Sequence, residues 1–185
     1  MSFIIQPSTA VAASAVIFLS SITASGTATV GFTSGFSLTY DDYLIIAEEV
    51  TFASASSYLY GLLYKASVLI NTNTYQGQSL TVNNGAPGYT MTTYGAFAAS
   101  LGPAAIVPNA VGTAQIYIAA ANNTSGKTQV SYTWNNNSTV GQLNAENLIL
   151  MGAYRETTAA AVTGFILSGS TNISGTLKLY GIAKS

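Results

Sequence analysis

The chain has no histidine and no cysteine, and among its 185 residues only five are Lys or Arg and six Asp or Glu. A Ser-His-Asp triad, a Cys-His pair, a zinc site with His or Cys ligands and a disulfide framework are therefore excluded within it. The five cations (Lys65, Lys127, Arg155, Lys178 and Lys184) are scattered over the whole length. They are too sparse to neutralise a run of phosphates, so nucleic acid is not an expected partner. Long apolar runs are missing too. Ala10 to Leu19, with Ser14 inside it, covers ten residues, whereas a membrane-crossing helix needs about 20. No cation precedes Lys65, so the basic start of a secretory signal is lacking, and neither a targeting segment nor a membrane anchor is expected.

What the chain does have is apolar and small. Hydrophobic residues make up 49% and charged residues 6%, against about 25% charged in an ordinary soluble domain. A surface with so few charges is poorly protected against association. A homo-oligomer is the natural expectation. The length predicts one domain, or one domain with an arm.

Periodicity favours strands almost everywhere. Gln129 to Trp134 is a period-2 run with Val130, Tyr132 and Trp134 on one face. Leu177, Leu179 and Gly181 alternate with Lys178, Tyr180 and Ile182 near the end. The apolar runs Tyr43–Ala47, Tyr58–Tyr64, Ile116–Ala121 and Leu148–Ala153 have the length and composition of strands covered on both faces. Asn- and Gly-rich punctuators separate them, at Asn71 to Thr74, Asn83 to Gly85, Asn122 to Gly126, Asn135 to Ser138 and Gly169 to Gly175. About eight to ten strands of this kind predict an all-β fold, an antiparallel β-sandwich or jelly-roll-like body. Gly102 to Pro108 has the composition of a long crossover. Residues 1–25 carry no charge and end at the Ala24-Ser25-Gly26-Thr27 turn signal. They read as an N-terminal arm or an edge strand, with residues 26–185 as the β-sandwich body.

Six carboxylates are the strong acid/base candidates. Glu48 and Glu49 are adjacent and so point to opposite faces of a strand. Asp41 and Asp42 precede an apolar strand, where Asp commonly closes a turn. Glu146 begins another strand, and Glu156 beside Arg155 reads as a solvated charge. No pair is placed for catalysis, so the chain is not expected to be an enzyme and no catalytic residue is assigned. Asp41 and Asp42 lack the ligand spacing of a calcium loop, Gly31 and Gly35 are not followed by the Lys of a phosphate loop, and no metal or cofactor is expected. The Asn-x-Ser/Thr triplets at Asn122, Asn136 and Asn172 are of the number that chance gives in a chain this rich in Asn, Ser and Thr. Tyr75, Tyr89 and Tyr94 lie in a Gly-, Asn- and Thr-rich stretch, Tyr75 to Gly95, that reads as an exposed loop sector. Their rings are candidates for stacking on sugar or on a protein partner.

Two stretches resemble a known group. Tyr40-Asp41-Asp42-Tyr43 followed by Leu44-Ile45-Ile46 looks like the start of small bacteriophage virion domains. Gly164 to Gly169, followed by Ile173 to Ile182, is similar to the closing hairpin of the same domains. That group comprises capsid decoration or head-fibre proteins and terminal domains of tail fibres, with a jelly-roll-like fold. The resemblance implies a structural virion protein on the outer surface of the particle, with the major capsid protein as partner. Fibre domains end a longer, trimerising shaft, and only residues 1–25 precede the body here, which favours a stand-alone decoration or cement protein. The alternative is a receptor-binding tail-fibre module that recognises host surface glycan.

Overall fold

A computed structural model describes residues 15–54, 59–71, 75–83, 86–94, 111–125, 128–137 and 148–183. Among these the chain is all-β, as its periodicity predicts. Ten strands form: β1 (Val16–Phe32), β2 (Tyr40–Phe52), β3 (Leu59–Lys65), β4 (Val68–Leu69), β5 (Tyr75–Asn83), β6 (Ala86–Tyr94), β7 (Val111–Ala119), β8 (Thr128–Asn137), β9 (Leu148–Glu156) and β10 (Val162–Ala183). Every pairing is antiparallel. The strands join into one sheet in the order β4-β3-β10-β2-β7-β8-β9-β5-β6, with β1 also on β10.

That sheet curls until its distant strands face each other. β3 and β9 are well separated in the strand order, yet Lys65 Nζ lies 2.5 Å from Glu156 Oε2. Likewise the Leu63 N–H donates to Tyr75 Oη across 2.9 Å, linking β3 to β5. A single apolar core fills the space between, with Trp134, Tyr43, Phe165, Ile45, Leu59, Leu63 and Ile116 among its most buried side chains. The result is a sandwich made by folding one sheet over on itself.

Two turn signals in the sequence turn out to be bulges. The closing hairpin expected from Gly164 to Gly169 and Ile173 to Ile182 does not form, because Val162–Ala183 is one strand of 22 residues. Gly175 instead adopts φ +148°, at a register shift between Ser174 and Thr176. Facing it, β2 has its own irregularity at Glu49, which has φ +53°. A Cβ on Gly175 would press on the Glu48 carbonyl and on Val50 Cα, so the position requires glycine. In the same way Gly26, with φ +64°, kinks β1 without ending it. β10 stays extended because it is paired along its length, with β1 over most of it and with β3 and then β2 over successive parts. The division expected at residue 25 falls inside β1. Residues 1–14, the crossover expected at 102–108 and Glu146 lie outside the described residues.

Aromatic rings in β8 and β9 lie over glycines on the neighbouring strand. Tyr132 is directly opposite Gly152 and Tyr154 directly opposite Gly77, and a Cβ on either glycine would collide with the ring. Tyr132 and Tyr154 stack with centroids 6.2 Å apart. Trp134 covers Gly112 in β7 and meets Phe52 edge-on. Large and small residues thus interlock across strands, a cross-strand pairing that fixes register.

Candidate binding face of the sheet

The alternation that buries one face of β5, β7, β8 and β9 exposes the other. The sequence reading expected β2, β7 and β9 to be covered on both sides. In the structure Leu44 and Ile46 are only half-buried, Ala153 is exposed and Met151 is 43% exposed. Nothing among the described residues lies over this outer face.

Strand register sorts the outer side chains into rows. Gln76, Arg155 and Gln129 stand side by side on β5, β9 and β8, continued by Ala119 on β7. The next row runs Gln78, Ala153, Ser131, Tyr117 and Leu44. It carries on through Tyr180 of β10 to Phe18 of β1, whose rings meet edge-on at 5.6 Å. A third row contains Met151, Thr133, Gln115 and Ile46. Ala153, Ser131 and Ala119 are short, and Arg155, Tyr117 and the glutamines around them are long. The difference in reach creates a depression of about 500 Å³ lined by Gln76, Gln78, Gln129, Tyr117 and Arg155. A second, of about 280 Å³, shares Tyr117 and reaches Gln115 and Thr133. A third, of about 380 Å³, extends past those two residues to Asn135 and Glu48. Together they form a groove along β7 and β8, roughly 20 Å long at the rise of a strand.

Tyr117 is fixed where the first two depressions meet. Its hydroxyl donates to Asp42 Oδ2 at 2.5 Å, and the Ala120 N–H donates to Oδ1 of the same carboxylate at 2.8 Å. Bonding to the Asp42 carboxylate, with burial adding to it, pushes the Tyr117 phenol up from 10.0 to about 12. Tyr117 is therefore a neutral, oriented ring at any physiological pH. Asp41 receives the Asn122 side-chain amide, 3.2 Å away, and that amide also donates to the Tyr40 carbonyl. Both tie the start of β2 to the Ala120–Asn122 corner. Among the described residues no group of three carboxylates could hold a metal ion. At the far end of the groove, Glu48 pairs with Lys178 at 2.6 Å. The hydrogen bond it donates to Glu48 holds the Lys178 ammonium above its ordinary pKa.

Of the three tyrosines singled out in the sequence, Tyr75 is not part of this site. Tyr75 to Gly95 is not an exposed loop: β5 and β6 pair residue by residue from Tyr75↔Tyr94 to Asn83↔Ala86. Tyr75 is fully buried, on the core side of β5, while Gln76 and Gln78 face out. Its hydroxyl accepts from Leu63 and donates to the Ile70 carbonyl at 3.3 Å, and burial pushes its phenol well above the ordinary value. Tyr75 is thus a core residue. Tyr94 and Tyr89 sit on β6 opposite Tyr75 and Leu80, with their side chains outside the described residues. Glu156, read as a solvated charge, is also fully buried. Burial acts to raise its carboxyl, but hydrogen bonds from Lys65 and Thr158 outweigh it and hold the group below its ordinary 4.5. The sequence reading missed the glutamines, although Gln76-x-Gln78 carries a period-2 signal of its own.

No family model matches the sequence, and no curated protein does. Among solved structures, a variant of alginate lyase Aly36B in complex with an alginate tetrasaccharide is similar at TM-score 0.31 and 10% identity, covering 79% of this chain and 72% of that one. The marine PL-14 alginate lyase from Aplysia kurodai is similar at TM-score 0.26 and 12% identity, covering 78% and 72%. The CBM2 module of the evolved Dit of Lactobacillus casei BL23 phage J-1 gives TM-score 0.27 and 9% identity, covering 85% and 69%. The likeness is one of general β architecture and assigns no activity, ligand or partner. The expectation that the chain is not an enzyme is not upheld: alginate lyases stand among these similar structures, a likeness of fold that establishes no enzymatic function. The missing His and Cys exclude particular sites, not catalysis as such. Tyr, Lys, Arg and carboxylates remain, and the fold brings Tyr117 to Asp42 and Lys65 to Glu156.

Proposed function

We propose that the chain is a glycan-binding β-sheet module whose outer groove holds a sugar chain along β7 and β8. The observation that carries this reading is the row-wise alignment of Gln76, Gln78, Gln129 and Gln115 with Tyr117, on a face where Ala153 and Ser131 form the floor. Carboxamides both donate and accept, which suits the mixed hydrogen bonding of sugar hydroxyls. A ring held by Asp42 offers an apolar face for a pyranose to lie against. The site is on strands paired on both sides, so it is formed before any ligand arrives. In the setting implied by the virion resemblance, the ligand is a host surface glycan and the module sits on the outside of a phage particle.

The test is retardation of the full chain in gels containing neutral and acidic polysaccharides. Binding to at least one polymer is expected. Gln129→Ala and Gln78→Ala should each weaken it several-fold with the melting temperature unchanged. No retardation by any polymer would end this reading.

A second reading, a capsid decoration or cement subunit bound to the major capsid protein, is favoured by β1. Residues 16–32 include no charged residue and no proline, and Val16 and Phe18 are 56% and 55% exposed. A long, uncharged edge strand is a template for pairing with another chain, here another copy in a homotrimer or a capsid subunit. Native mass at micromolar concentration decides: a trimer that Phe18→Lys reduces to monomer supports it, and a wild-type monomer that leaves undecorated capsids bare rules it out.

A further inference from the structure

The groove has one cation without a counter-ion among the described residues. Arg155 is exposed, and the two ion pairs found there, Lys65–Glu156 and Lys178–Glu48, do not include it. The neighbouring Glu156 faces the opposite side of the sheet and is occupied by Lys65. Asp42, the carboxylate behind Tyr117, is taken up by the Tyr117 hydroxyl and the Ala120 N–H. Arg155 also has a fixed frame: Gln76 and Gln129 are directly opposite it on either side, and all three line the 500 Å³ depression.

From this arrangement we infer that Arg155 receives a carboxylate, and that the glycan held in the groove is an acidic chain carrying uronate residues. The inference rests on the glycan-binding reading above and narrows it to a substrate class. A guanidinium presents two parallel N–H donors that match the two oxygens of a carboxylate, a geometry a lone hydroxyl does not use. The flanking carboxamides then serve the ring hydroxyls on either side of that carboxylate. Farther along the groove the lining is neutral, apart from Glu48, which already has Lys178. One carboxylate is therefore read at the Arg155 end, and the remaining sugars are held by Gln115, Tyr117 and Thr133.

The experiment measures binding of the full chain to polygalacturonate, polymannuronate and polyglucuronate, each beside its carboxyl-reduced form. At least one polyuronate should bind about tenfold more tightly than its reduced counterpart, as expected for a charge-assisted bidentate pair. Arg155→Gln should bring the two forms level without shifting the melting temperature, because the side chain is on the surface. Gln76→Ala should weaken both forms alike. Equal binding of acidic and reduced polymers by the wild type would overturn the inference and leave the glycan-binding reading standing. So would an Arg155→Gln protein that keeps its preference. Failure to bind any polyuronate, with binding retained on neutral polymers, would also overturn it. Failure on every polymer would remove both.

Discussion

Arg155 and Glu156 are neighbours in the chain and live in opposite environments. Arg155 stands on the open face between two glutamines, whereas Glu156 is sealed in the core against Lys65, with Tyr75 and Thr128 directly opposite it. Tyr75 and Gln76 divide in the same way across one peptide bond. Each step along a strand reverses the side, so a charge that solvent screens and a charge that the fold must neutralise lie one residue apart. The comparison separates two kinds of residue: inner ones determine whether the sheet closes, and outer ones what the closed sheet holds.

The largest effect should come from the inner pair. Lys65→Met leaves the buried Glu156 carboxylate without its cation and should cost about 3–5 kcal/mol in urea unfolding. Lys65→Met combined with Glu156→Leu should recover most of that, since an apolar pair no longer needs desolvated charge to be matched. A double variant as unstable as the single would mean that the pair's role is specific geometry and not charge balance. Next come the glycines beneath rings. Gly152→Ala pushes a methyl into Tyr132 and should cost about 1–3 kcal/mol as overpacking.

Acid should act on the inner face through Glu156. Glu156 is held below 4.5 in the folded state, so its contribution is present above that value and is lost as pH falls through the lower, folded pKa. Stability of the wild type should drop there, and that of the Lys65→Met, Glu156→Leu variant should drop less. Tyr117 has the opposite sign. Its folded pKa is raised from 10.0 to about 12, so its contribution is intact below 10.0 and declines as pH rises between those values. A Tyr117→Phe protein should show a flatter alkaline limb.

On the outer face, Gln129→Ala and Arg155→Gln should change stability by no more than about 0.5 kcal/mol, with their effect confined to ligand binding. The smallest effect is expected at Glu48→Gln. The Glu48–Lys178 pair is at the surface, where solvent and salt screen it, so its melting curve should overlay that of the wild type.

Much of the inner face was legible along the chain. Val130, Tyr132 and Trp134 share one face by their period, and that face is turned to the core; Leu177, Leu179 and Gly181 are buried too, on a strand whose alternation put apolar groups on both faces. Legibility failed at Gly26 and Gly175, where a residue suited to a turn serves a bulge, because only the neighbouring strand decides which. It failed also at Tyr75 and Glu156. Loop-like composition around Tyr75 gave no hint of the ladder with β6 and β9, and nothing near Glu156 points to Lys65, 91 positions away, across the core.

What the sequence by itself determined is the class of the fold and the identity of its inner stripe. Alternation of apolar and polar residues with period two, interrupted by Asn and Gly, leaves an antiparallel sheet as the way to bury the apolar set. The charge count likewise fixed how few ionic contacts exist to be made. Only the tertiary structure decided which charges meet and which glutamines align. Both depend on strand register and on how far the sheet curls, and register is set by contacts between residues far apart in the chain, which no local pattern encodes.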